Sequence, residues 1–182
     1  MNLPPLNLVT GIPAQADVLV LGLADSAGTP LVVGATDAFK AAYADRFGTP
    51  LDALALRLGG SAKPGTTVVL PGETGAVVLT GLGDVDVTPD RVRRAAANGV
   101  KRALESAGER AVALAVSLDT LEPEVVAAAA EGALLGTYRY TKHGTPQPSA
   151  NASRIDLVGP ASVAQAVAIA VVTAEAVGAA RD

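Results

Sequence analysis

The sequence predicts an α/β layer fold, a three-layer α-β-α sandwich built on a mixed, mostly parallel sheet. Three observations predict it. Short runs of Val, Leu and Ala alternate from end to end with segments patterned as helices, the order expected when helices cover both faces of a mostly parallel sheet. The runs lack polar alternation, as strands buried on both faces do. Glycine-bearing turns near Gly28 and Gly72 join neighbouring runs closely enough for hairpins, which makes the sheet mixed.

The elements follow in order. Asp17-Val-Leu-Val-Leu-Gly-Leu23 reads as a buried strand, and Pro30-Leu-Val-Val33 pairs back on it across Gly28. Thr36 or Asp37 caps a first helix with Phe39, Tyr43 and Phe47 at helical spacing, and Gly48-Thr-Pro50 ends it. Leu51 to Leu58 supplies another helical turn or two, and Gly59 to Gly65 is loop by composition. Thr66 to Leu70 and Ala76 to Thr80 are strands joined at Pro71 to Gly75. Thr88-Pro89-Asp90 starts a helix with a capping hydroxyl, a proline at the first position and an acid in the first turn. Val92, Ala95, Ala96, Val100, Ala103 and Leu104 share its apolar face, and Gly108 closes it.

Arg110 to Ser117 is the next buried strand. Thr120 caps a helix from Leu121 to Tyr138, whose stripe of Val125, Ala129, Gly132, Ala133 and Gly136 is small. Small residues let a helix lie close to a sheet, at a propensity cost of about 1 kcal/mol per glycine. Lys142 to Asn151 is a polar loop with Pro146 and Pro148, Arg154-Ile-Asp-Leu-Val158 a last strand, and Gly159-Pro160 leads into a long helix from Ser162 to Arg181. That helix is apolar almost all round, with Val163, Val167 and Ala170 on one side and Ala168, Ile169, Val172 and Ala176 on others. A finished surface helix shows a polar face. Either this one packs into another copy or its natural neighbour is missing. Gln165, Thr173 and Glu175 argue against a membrane span here.

Composition narrows the function. The 182 residues are one domain's worth. Hydrophobic residues make up 49% but aromatics only 3%, so the core is Ala, Val and Leu. One Met and no Trp leave few bulky anchors for an interface. A net charge of -4 argues against non-specific nucleic-acid binding. The absence of cysteine excludes disulfides, thiolate zinc sites and cysteine nucleophiles. The Met-Asn-Leu-Pro-Pro start has neither the basic nor the apolar region of a secretory signal, so a cytoplasmic location is expected.

No motif assembles a catalytic set, and the expected catalytic, cofactor-binding and metal residues are none. The sole histidine, His143, sits in the Pro-rich loop and cannot supply a multi-histidine zinc site. Gly59-Gly60-Ser61-Ala62 is the nearest approach to a serine elbow and fails at Lys63, while Pro64 follows Lys63 where a P-loop needs Ser or Thr. Gly81-Leu-Gly83 follows a strand as a phosphate turn does, but Asp86 stands where a third glycine belongs, and Asp84 and Asp86 repel phosphate. The strand-to-loop reading is preferred. Asp84, Asp86 and Asp90 offer oxygen ligands for Mg²⁺ or Mn²⁺, against the simpler role of decorating a loop and a helix start. Arg91, Arg93, Arg94, Lys101 and Arg102 are the basic cluster, facing phosphates, a partner's acids or solvent. Asn151-Ala-Ser153 matches a glycosylation acceptor without the context to use it.

Four stretches in this order resemble the amino-terminal domain of the leucyl aminopeptidase (cytosol aminopeptidase) family. They are Asp17-Val-Leu-Val-Leu21; Ala76-Val-Val-Leu-Thr-Gly-Leu-Gly-Asp84 with the helix after it; Ala130-Glu-Gly-Ala-Leu-Leu-Gly-Thr-Tyr-Arg-Tyr140; and Ala168 to Asp182, ending Gly-Ala-Ala-Arg-Asp. The resemblance covers essentially the whole chain. It implies a macro-domain-like fold over residues 1–182, with helix 162–182 as the link to a catalytic domain that follows. It also implies a hexameric parent enzyme that uses two divalent metals, Mn²⁺ or Zn²⁺, to remove amino-terminal residues, preferably leucine. All metal ligands and catalytic groups would lie downstream, so none is carried over. On this reading the fragment is not itself an enzyme and serves assembly or regulation. The alternatives are a free-standing macro-like domain binding ADP-ribose or another nucleotide, and a DNA-binding module using helix 91–102.

Overall fold

The computed structural model describes residues 3–73, 75–84, 87–138 and 151–181. Its elements are β1 (Leu6–Val9), β2 (Val18–Ser26), β3 (Thr29–Val33), α1 (Asp37–Phe47), α2 (Leu51–Arg57), β4 (Thr67–Pro71), β5 (Ala76–Asp84), α3 (Pro89–Ser106), β6 (Ala111–Ser117), α4 (Pro123–Gly136), β7 (Asn151–Val158), a 3-10 turn (Ala161–Val163) and α5 (Ala164–Arg181). Among the described residues the strands form one sheet in the order β1-β7-β6-β2-β5-β4, with β3 added to β2. The pairs β1–β7, β7–β6, β6–β2 and β2–β5 are parallel, and the hairpins β2–β3 and β4–β5 are antiparallel. The mixed, mostly parallel sheet of the sequence reading is therefore present, with both hairpins where Gly28 and Gly72 place them.

Two strands share one edge of β2. Val18 to Leu21 pair with β6, and Gly22 to Ser26 pair with β3. β3 thus takes over where β6 ends. Ser117 closes the seam by donating its hydroxyl to the Gly34 carbonyl at 2.6 Å.

Alternation along the strands splits the core into two layers. Val18, Val20, Val78, Leu114, Val116, Ile155 and Leu157 face α3, α4 and α5. Leu19, Leu21, Leu23, Val77 and Leu79 face the opposite side, where Tyr43 of α1 and Leu51 and Ala55 of α2 cover them. Right-handed crossovers explain the layering. From β5 the chain steps toward β6 and then β7 in one direction, so α3 and α4 fall on the same face.

Local signals hold at several element ends. Thr36 accepts from the Phe39 amide at 3.2 Å and Thr88 from the Arg91 amide at 3.4 Å, so both predicted caps form. All six predicted apolar residues of α3 are buried.

Three expectations need correction. Thr120 does not cap α4; the cap position is Glu122, and the helix runs from Pro123 to Gly136 rather than from Leu121 to Tyr138. Proline disfavours helical geometry in the residue before it, and Glu122 is extended, with φ -71° and ψ 133°. The small-residue stripe of α4 lies against α3, not the sheet. A Cβ on Gly132 would stand 2.1 Å from the Arg93 oxygen, and one on Gly136 2.6 Å from the Ala97 oxygen. Finally, Gly81 to Gly83 is no turn, because β5 continues through it to Asp84. The predicted loop 142–151 lies outside the described residues except for Asn151, which heads β7.

Candidate functional site

The carboxyl end of β5 carries the sequence's best phosphate candidate, and its amides are already used. The Gly81 amide donates to the Thr66 carbonyl at 3.0 Å and the Gly83 amide to the Ala62 carbonyl at 2.7 Å. The glycines serve close packing. A Cβ on Gly81 would fall 2.1 Å from the Lys63 oxygen, so only glycine lets the 61–66 segment lie on the strand. The Thr66 hydroxyl ties that segment down, lying 2.7 Å from both the Ser61 and the Lys63 carbonyl with its one proton shared between them. Gly60 donates its amide to the Ala55 carbonyl at 2.8 Å. Ser61 accepts from the Lys63 amide at 3.2 Å, so its hydroxyl ends a tight loop rather than topping an elbow. A nucleotide loop needs free amides pointing at the ligand, and this one offers none at Gly81 or Gly83.

The acids and the basic helix neutralise one another. Asp84 lies 3.9 Å from the Arg91 guanidinium. Asp90 pairs with Arg93 at 3.5 Å and Arg94 at 2.9 Å. Arg93 also donates to Glu131 of α4 at 2.7 Å, which pins the two helices together. Arg102 pairs with Glu105 at 3.4 Å, and Lys101 is exposed. A helix face whose arginines already sit against carboxylates presents little of the positive field that DNA binding requires. Among the described residues, no three His, Cys, Asp or Glu gather as a metal site. Asp86 and His143 lie outside the described residues.

The feature that stands out is α5. Its buried stripe, Val167, Ala170 and Ala174, continues Val163 of the preceding 3-10 turn and packs beside α4. Its other faces are open, with Ile169 61% and Val172 64% exposed and Ala168 and Ala176 exposed beside them. By length and composition alone, Ala161–Ala180 is long and apolar enough to cross a membrane. Its inner stripe nevertheless packs into this fold. The sequence reading found the all-round apolarity; the structure identifies which face is left uncovered.

On the other side of the sheet, reasoning from sequence missed a groove. It runs beside α1 at the amino ends of β2 and β5, with Phe39, Glu73 and Val77 in its lining. The helical spacing of Phe39, Tyr43 and Phe47 was a signal for it. Glu73 and the 12–17 segment reach it only through the tertiary fold.

Comparison with known proteins adds the following. Residues 31–146 match the family model described as the cytosol aminopeptidase family, N-terminal domain. A probable cytosol aminopeptidase of Cutibacterium acnes is 38% identical over 124 residues, covering 68% of this chain and 24% of that protein. One of Micrococcus luteus is 35% identical over 184 residues, covering 92% of this chain and 34% of that protein. The chain therefore spans about a quarter to about a third of the length of these relatives. Among solved structures, a bottromycin maturation enzyme, BotP, in complex with Mn is similar with a TM-score of 0.60 and 26% identity, over 88% of this chain and 30% of that one. A tomato leucine aminopeptidase mutant shares the fold with a TM-score of 0.69 at 16% identity, over 96% of this chain and 37% of that one.

Proposed function

From the premise that this chain belongs to the cytosol aminopeptidase family, as its amino-terminal domain, we propose that residues 1–182 are the non-catalytic domain of a longer cytosolic metallo-aminopeptidase. Its role is assembly of the enzyme or control of access to an active site carried by a catalytic domain of the same chain. The observation that carries the reading is the outer face of α5. Ile169 and Val172 are exposed on the last helix, at the end from which a catalytic domain would continue. Exposed apolar patches on an otherwise packed domain mark interaction surfaces. The parent would remove amino-terminal residues, preferably leucine, with two divalent ions, Mn²⁺ or Zn²⁺, and act as a hexamer. The described residues do not fit those ions: Asp84 and Asp90 are held by arginines. On this reading the metals would belong to the rest of the longer chain, and this domain would perform no step through them.

The test uses the 182-residue chain with leucyl-p-nitroanilide and Mn²⁺. No metal-dependent release of nitroaniline is expected, and measurable turnover would overturn the non-catalytic reading. A longer chain read through the coding sequence after Asp182 should turn over the same substrate. It should also slow amide exchange in α5 relative to the shorter one.

A further inference from the structure

The groove beside α1 is used by nothing described above, and it does not depend on the proposed role in a longer chain. One wall is the segment that crosses from β1 to β2, with Ile12 and Pro13; the other is α1; the rim is the β4–β5 turn at Gly72 and Glu73. Two cavities of about 340 and 470 Å³ share Phe39, Glu73 and Val77 and so form one groove. That size suits a small organic molecule.

Its composition departs from the rest of the protein. The chain has two Phe and three Tyr, and both Phe and one Tyr stand in a row here. Ring centroids are 6.3 Å apart for Phe39–Tyr43 and 4.5 Å for Tyr43–Phe47. Elsewhere the core is filled by Ala, Val and Leu. Phe39 and Phe47 remain only half-buried, although burial is what an aromatic used purely as filler would gain.

The charge around these rings is mostly negative. Asp17, Asp45 and Glu73 line the groove. The Asp17 carboxylate is fixed at the inner end by the Ala113 amide, at 2.7 Å. The cation in the lining, Arg46, lies 4.0 Å from Glu73 and 5.9 Å from the Phe47 ring centre. Arg46 and Glu73 are both well exposed, a setting in which an ion pair is weak and readily exchanged. Aromatic faces and carboxylates attract the same kind of ligand, a cation, while the apolar walls take a hydrocarbon body. An anionic ligand would meet three acids.

We propose that this groove binds an amphiphilic organic cation: an apolar body of a few carbons bearing one ammonium group. The body lies against Ile12 and Phe39, and the ammonium replaces Arg46 at Glu73. The chemistry is that of a free aliphatic amine or of a peptide amino terminus with an apolar first residue.

Titration of the 182-residue chain, followed by amide chemical shifts, tests it. Hexylammonium should give saturable shifts at Ile12, Asp17, Phe39, Glu73 and Val77. Hexanol should bind about tenfold more weakly for want of the ion pair and ring contact, and hexanoate should give no saturable shift. Glu73→Gln, at an exposed position, should weaken hexylammonium about threefold, whereas Glu105→Gln on α3 should not. Valylglycinamide separates the two sources: tighter binding than hexylammonium assigns a peptide end, weaker binding a free amine. Equal affinity for hexanol and hexylammonium, an unchanged Glu73→Gln, shifts outside the groove or no saturation would each overturn the proposal.

Discussion

A Cβ atom placed on Gly132 of α4 would lie 2.1 Å from the backbone oxygen of Arg93 on α3. The two helices are therefore packed backbone to backbone at this point, and Arg93 reinforces the contact through its guanidinium, 2.7 Å from Glu131. Gly132→Ala sets two effects against each other. Helix propensity favours alanine by about 1 kcal/mol. Overpacking a tight contact costs about 1–3 kcal/mol, and here the obstacle is backbone that cannot rotate away. A net loss is expected, read as a lower urea midpoint with unchanged slope. A stabilised Gly132→Ala protein would mean that the helices do not approach this closely.

The same contact shows what was legible in the sequence. The small stripe of α4 is visible in the residues, but its partner is not. Whether the stripe meets sheet or helix depends on the strand order β2-β6-β7, which puts α3 and α4 side by side. Strand runs, hairpins and caps were legible because each depends on neighbours a few residues away, as Thr88 with Arg91 does. Gly81 and Gly83 were misplaced for the opposite reason. Glycines after an apolar run look like a turn, yet they belong to a strand because the distant Leu23 to Asp25 of β2 pair with this segment, while the Ala62 and Thr66 carbonyls accept their amides on the other side. The groove needs Glu73 and Phe39 brought together across the sheet, which no local pattern announces.

Tyr43 gives a pH dependence. Its hydroxyl donates to the Pro71 carbonyl at 2.9 Å, and burial raises its pKa above the ordinary 10.0. The folded protein holds the phenolic proton more tightly than the unfolded chain does. The stability this contributes is complete below about pH 10 and is lost as pH rises through the raised native value. Tyr43→Phe should cost about 0.5–1.5 kcal/mol at neutral pH and lessen the alkaline loss. Urea titrations at neutral and strongly alkaline pH check this; equal alkaline losses in both proteins would contradict it.

Asp52 guards an open strand edge. Its carboxylate accepts from the Val32 amide at 2.6 Å, while Lys40 donates to the Val32 carbonyl at 2.6 Å and sits 3.7 Å from Asp52. Both outward groups of β3 at this residue are thus occupied by side chains, a device that keeps edges from pairing with other chains. Val32 is 2% exposed, so Asp52→Ala leaves a buried amide without its acceptor, at about 1–3 kcal/mol. Breaking the exposed Arg102–Glu105 pair should cost no more than about 1 kcal/mol. Thermal melts compare the two.

The two faces of α5 should respond oppositely to charge. Ala170 is 1% exposed on the inner stripe, so Ala170→Asp buries a carboxylate among apolar groups of α4 and should detach the helix or unfold the protein. Ile169 and Val172 look outward, so the double change Ile169→Glu, Val172→Glu should shift the stability of the 182-residue chain by only about 0.5 kcal/mol, and it should reduce binding of an apolar dye. If a catalytic domain covers this face in a longer chain, the same double change buries two charges at the junction there. It should then lower that chain's melting temperature and leucyl-p-nitroanilide turnover while leaving the short chain folded. A double variant equally harmless in both chains would show that α5 is exposed in both, and the role proposed for its outer face would fall.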